Sequence, residues 1–90
     1  MVTWDEPKRL LNITAHKMDF VGYEAVVDGP ITAKEDDRLR YGEQRINRLG
    51  WLGGHVVRMT YTERGDNVHV VSLRKATKHE AREYFSDLHR

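Results

Sequence analysis

The sequence predicts a single small α+β domain, and three observations carry that expectation. Two runs, residues 44–52 and 55–62, flank Gly53-Gly54, a pair that can take the two positive φ values of a tight hairpin turn. A third strand-like run, residues 67–74, follows the turn Glu63-Arg64-Gly65-Asp66. Then Thr77-Lys78-His79-Glu80 reads as a capping box that opens an amphipathic helix. All of residues 1–90 belong to one domain, because separate cores below about 50 residues would need disulfides or metals, and the chain has no cysteine.

From the start, Trp4 ends a short β-compatible segment, and Asp5 is an N-cap for a helix entered through Glu6 and Pro7 and running to about His16. Lys8, Asn12 and His16 repeat every four residues and share one polar face, read as a solvated outer stripe or as something more specific. Asp19 caps a second short helix, Phe20 to Val27, which Asp28-Gly29-Pro30 ends, so the two helices form an N-terminal hairpin. Residues 31–42 are charged and aperiodic, as in a loop or an edge strand with a turn.

The three strands make an antiparallel meander. Period-two geometry puts Ile46, Leu52, Val57, Met59, Tyr61, Val68 and Val70 on the core face. The other face then mixes Arg45, Asn47, Arg58, Thr60, Thr62 and His69 with Leu49, Trp51, Val71 and Leu73, as a face that a partner covers would. In the last helix Ala81, Tyr84, Phe85 and Leu88 fall at i, i+3, i+4 and i+7, the stripe of a helix docked on a sheet.

Composition excludes several function classes. Without cysteine there is no thiolate catalysis, zinc ribbon or redox pair, and the usage suits a reducing cytoplasm. The N-terminus lacks the basic region and apolar core of an export signal, and no apolar run is long enough to span a membrane. Five histidines show no His-x-x-x-His spacing, and His79 with Glu83 is a lone i, i+4 pair, so no metal is expected. Glycine signatures for nucleotide cofactors are absent too.

The net charge is only +1, so any polyanion site has to be local. Residues 67–79 hold Arg74, Lys75, Lys78, His69 and His79 and no acidic residue. Arg64 at a hairpin tip, Arg74 at a strand end, and Lys75 and Lys78 beside a helix N-terminus can together hold a phosphodiester. The plain alternative is a set of solvated cations.

Four ordered motifs then carry a resemblance. They are Trp4-Asp5-x-x-Lys8-x-x-x-Asn12-x-x-x-His16-x-x-x-Phe20, Glu35-Asp36-Asp37-Arg38-x-x-Tyr41-Gly42-Glu43-x-Arg45, Tyr61-Thr62-Glu63-Arg64-Gly65-Asp66 and Ser72-x-Arg74-Lys75-Ala76-Thr77. In this order and spacing, from Trp4 to Tyr84, the chain resembles the BrnT toxins of bacterial type II toxin–antitoxin systems. One position departs: Lys17 follows His16 where family members often have glycine.

The resemblance implies a RelE-like fold and a metal-independent, cofactor-free endoribonuclease that inhibits translation. It also implies a cognate BrnA-type ribbon-helix-helix antitoxin that binds the toxin as a heterotetramer and contacts promoter DNA on its behalf. Arg64 and Arg74 are then the expected phosphate and transition-state binders, with Glu35 and His16 as proton-transfer candidates. Lys75, Lys78, Arg38 and Tyr84 are expected to bind substrate, although a structural hydrogen bond for His16, a pairing with Arg38 for Glu35 and core packing for Tyr84 compete with these roles. The alternative from another class is a non-catalytic antitoxin partner acting as co-repressor.

Overall fold

Strand β1 (Val2–Trp4) opens the chain and leads directly into helix α1 (Glu6–His16). The structure, a computed structural model, describes residues 1–27, 29–32 and 42–89 and the backbone of residues 35–36. A 3-10 turn (Phe20–Gly22) and a short helix α2 (Tyr23–Val27) follow, then strands β2 (Glu35–Asp36), β3 (Ile46–Leu52), β4 (His55–Arg64) and β5 (Asn67–Lys75) and the last helix α3 (Lys78–Leu88). The strands form one five-stranded sheet in the order β1-β5-β4-β3-β2. The β3-β4-β5 meander is antiparallel as expected, while β1 adds a parallel edge beside β5, with Val2 opposite Val68 and Trp4 opposite Val70. None of the described helices is long and apolar enough to cross a membrane.

Local chemistry explains the element ends. Asp5 caps α1 by accepting from the Lys8 N–H, and Asp19 caps the 3-10 turn by accepting from the Val21 N–H at 3.0 Å. The same Asp19 carboxylate takes Nε and Nη2 of Arg9 at 2.8 and 3.0 Å, fastening α1 to the turn after it, and these hydrogen bonds hold its pKa below the usual carboxylate range. Between them Lys17 sits in the left-handed region at φ 58°, the position where glycine carries no steric cost. The departure from family glycine therefore falls on a residue with a left-handed backbone, the one such non-glycine among the described residues. Gly53 and Gly54, at φ 57° and 84°, make the tight β3-β4 turn.

The main core lies between the sheet and the helical segments of residues 6–27, where Phe20, Tyr23 and Val26 pack on Ile46, Val57, Met59, Tyr61, Val70 and Leu73. Gly50 lets α2 close on the sheet, since a Cβ there would stand 2.7 Å from the Val26 side chain. Leu73 corrects the expected face assignment. A register shift between Thr60 and Tyr61 pairs Thr60 with Ser72 but Tyr61 with Val70, so Val71 is an extra residue and Leu73 returns to the core face, fully buried.

Asn12 is not a solvated outer residue either. β1 stops at Trp4, leaving the β5 edge unpaired beyond Val70, and Asn12 fills the gap. Its amide donates to the Leu73 carbonyl at 2.7 Å and to the Met18 carbonyl at 2.9 Å, and accepts from the Leu73 N–H at 3.2 Å. One side chain thus replaces a missing strand partner.

Candidate functional site

The second face of the sheet carries α3 over one end and beside it a polar strip in which Arg58, Thr60, His69, Ser72 and Arg74 are half-buried and Asn47 and Thr62 buried. Leu49 and Val56 form a small apolar cluster with Tyr84 of α3, and the helix starts where β5 ends. The predicted capping box is present: the Thr77 hydroxyl accepts from the Glu80 N–H at 3.2 Å, and the Glu80 carboxylate accepts from the Thr77 N–H at 2.9 Å.

Glu80 does a second job. Both of its carboxylate oxygens take Arg74, Nη1 at 2.8 Å and Nη2 at 3.1 Å, and Nε of Arg58 lies 3.7 Å away. Arg58 and Arg74 are direct cross-strand partners, so two guanidiniums stand side by side where like charges normally repel. Partial burial pushes the Glu80 pKa up, but the hydrogen bonds from Arg74 and the Thr77 N–H and the charges of Arg74 and Arg58 outweigh it, and it falls to about 2. Glu80 is therefore an anion at all working pH values and neither a general acid nor an easily protonated base. The crevice of about 80 Å³ beside Arg58 is lined also by Glu80, Glu83 and Asp87, which disfavours a phosphate there.

Along that strip the next row runs Asn47, Thr60, Ser72, with the Thr60 hydroxyl donating to Asn47 at 2.7 Å. Backbone pairing extends this row to Glu35 through Asn47. One row further, Thr62 pairs with His69, whose Nδ1 shares a 2.8 Å hydrogen bond with the Thr3 hydroxyl. Burial first, then the charges of Arg64 and Lys8, lower the His69 pKa below its ordinary value, so its ring is neutral at neutral pH. Arg64 ends β4, more than half exposed, with Glu43 at 3.8 Å.

The sequence-predicted residues are thus brought together only in part. Arg64 lies six residues along β4 from Arg58, the partner of Arg74, which is about 20 Å of strand. The expectation that Arg64, Arg74, Lys75 and Lys78 close on one phosphate is therefore corrected: Arg74 and Lys75 flank the start of α3, and Arg64 stands at the far hairpin tip. Tyr84 is buried and its hydroxyl donates to the Pro30 carbonyl at 2.9 Å, so it faces the protein. His16 is exposed and flanks a shallow groove between α1 and Val71 together with Lys8 and Asn12. The structural tie from α1 that competed with catalysis for His16 is made by Asn12. Arg38 and the Glu35 side chain lie outside the described residues.

Sequence reasoning did not join Arg58 and Glu80 to Arg74, and named His69 only as part of the basic stretch 67–79. Arg58 carried a readable signal, an arginine at a strand position facing away from the core in the row next to Arg74. Among the described residues no three His, Cys, Asp or Glu side chains gather as a metal ion requires.

Comparison with curated proteins gives no match. Residues 4–80, from the β1 end to the glutamate of the Arg58–Arg74 clamp, match the family described as ribonuclease toxin, BrnT, of type II toxin–antitoxin system. The chain belongs to this family of ribonuclease toxins.

Proposed function

We propose that the chain is a metal-independent endoribonuclease with a RelE-like arrangement, including an N-terminal helical hairpin, that cuts RNA bound over the polar strip and so inhibits translation in the cytoplasm. The observation that carries the reading is the Arg58–Arg74 pair on that strip, in a chain of the ribonuclease toxin family. RNA brings its own nucleophile, the 2′-hydroxyl, so the protein has to assist proton transfer and stabilise a phosphorane dianion. Two guanidiniums on neighbouring strands, held in place by Glu80, supply positive charge for that stabilisation.

Glu35, whose backbone lies in the row beside Arg58 and Arg74, and His16, at the end of α1, are the proton-transfer residues of this reading. Lys75, Lys78 and Arg38 hold flanking phosphates. His69, about 13 Å along the sheet, and Arg64, about 20 Å along it, engage the RNA strand further on. A BrnA-type ribbon-helix-helix antitoxin neutralises the toxin in a heterotetramer and provides its contact with promoter DNA.

The test is purified chain with RNA, in the presence of a metal chelator, and growth after induction. Wild type is expected to leave 2′,3′-cyclic phosphate ends and to stop growth. Arg58→Ala or Arg74→Ala should lower cleavage by about a hundredfold or more while the protein stays folded. Retained cleavage in both variants removes the site assignment, and loss of wild-type cleavage on chelation removes metal independence. Harmless induction by a chain that still binds its antitoxin points instead to the co-repressor role.

A further inference from the structure

Three large side chains at one end of the molecule, Trp51, Phe85 and Leu88, are each more than two-fifths exposed. Phe85 and Leu88 belong to the stripe of α3 that periodicity assigns to the sheet, yet only Tyr84 of that stripe is fully buried. Phe85 packs edge-on against Trp51, with ring centres 6.2 Å apart. Around this pair a groove of about 330 Å³ runs between the β3-β4 turn and the start of α3, with Val56, Ala76 and Ala81 in its floor. Lys75, Lys78 and His55 line it as well, and no lining residue is acidic.

We infer that this groove is the docking surface for the protein antitoxin, which inserts an acidic segment carrying an apolar anchor. The inference rests on the family reading above for the existence of that partner. Charge complementarity sets the occupant: an aromatic and aliphatic floor takes one or two large side chains, and a rim with two lysines and no carboxylate selects acidic neighbours. RNA fits less well. Beside the two aromatic rings the groove is floored by Val56, Ala76 and Ala81, which read no base edge.

Docking here also accounts for neutralisation. Lys75 follows Arg74 in β5, and Nη1 of Arg74 donates to the Lys75 carbonyl at 3.0 Å. Lys75 and Lys78 are also the residues assigned above to flanking phosphates, so carboxylates seated on them displace the RNA from that end of the site.

The experiment measures, by calorimetry, the affinity of the intact chain for the antitoxin encoded beside it, with RNA cleavage by the free chain as a parallel readout. Phe85→Glu and Trp51→Glu, both at half-exposed sites that should tolerate a polar residue, are each expected to weaken antitoxin binding by about thirtyfold or more, and the uncharged Phe85→Gln and Trp51→Gln should weaken it as well while leaving cleavage unchanged. Phe85→Leu should bind close to wild type. Two results overturn the inference: wild-type antitoxin affinity in both glutamate variants, or loss of RNA binding in place of antitoxin binding. If the free chain neither cuts RNA nor stops growth while Phe85→Glu still weakens the antitoxin complex, the ribonuclease reading fails and the docking surface stands.

Discussion

Replacing Glu80 by glutamine tests whether one carboxylate holds the arginine pair and the helix cap together. Glutamine serves in a capping box, so most of the Thr77 interaction survives the change. What is lost is the charge facing Arg74 and Arg58. The drop of the Glu80 pKa from 4.5 to about 2 bounds that contribution from above, and because the side chain is 18% exposed, solvent screening leaves about 1–2 kcal/mol. In a domain of this size that lowers Tm by roughly 4–15 °C at pH 7. The sign with pH follows from the direction of the shift. A carboxylate whose pKa is lower in the folded state stabilises above about pH 4.5, and the contribution drains away as pH falls toward 2. Thermal unfolding of wild type and Glu80→Gln from pH 7 to pH 2.5 should therefore show a gap that narrows with acid. A gap of constant size over that range would refute the arginine clamp.

Three further outcomes follow from single contacts. Asn12→Ala strips the Leu73 N–H and C=O of their partner on a buried edge and should cost about 2–4 kcal/mol in urea unfolding, against a few tenths for Lys8→Ala on the same helix face. Lys17→Gly relieves a left-handed backbone and should stabilise by about 0.5–1 kcal/mol in the same assay, with cleavage unchanged. Tyr84→Phe loses the bond to the Pro30 carbonyl and should cost about 1 kcal/mol, leaving RNA cleavage at the wild-type rate if Tyr84 is purely structural.

What the sequence revealed was local. The Thr77 capping box, the Gly53-Gly54 turn, the Asp5 and Asp19 caps and the three meander strands each rest on residues a few positions apart, and all are present. What it hid was long-range or off-period. The pairing of Val2–Trp4 with β5 joins residues 66 apart, for which a three-residue strand gives no warning. The extra residue at Val71 leaves no trace in an apolar alternation, yet it moves Leu73 from one face to the other. Asn12 looked solvated because its reason for being buried, an unpaired edge of β5, exists only once the sheet is assembled. The separation of Arg64 from Arg74 was legible in principle. With the turn at Gly65-Asp66, one ends β4 at the tip and the other lies near the base of β5, so the hairpin itself holds them apart.

Helix α3 connects these observations. Its Glu80 side closes on Arg74 and Arg58, its Tyr84 side fills the small core over Leu49 and Val56, and its Phe85 side leaves a greasy surface beside two lysines. A helix needed only for stability would bury Phe85 and Leu88 as it buries Tyr84, because leaving them half exposed forgoes about 1 kcal/mol or more of burial. Nor does stability alone call for two arginines facing each other across β4 and β5, a pairing that Glu80 of the same helix offsets. Both features adjoin α3. Under the proposed reading they have one explanation: the arginines are kept for a phosphate, and the apolar groove beside them is kept for the protein that shuts the phosphate out.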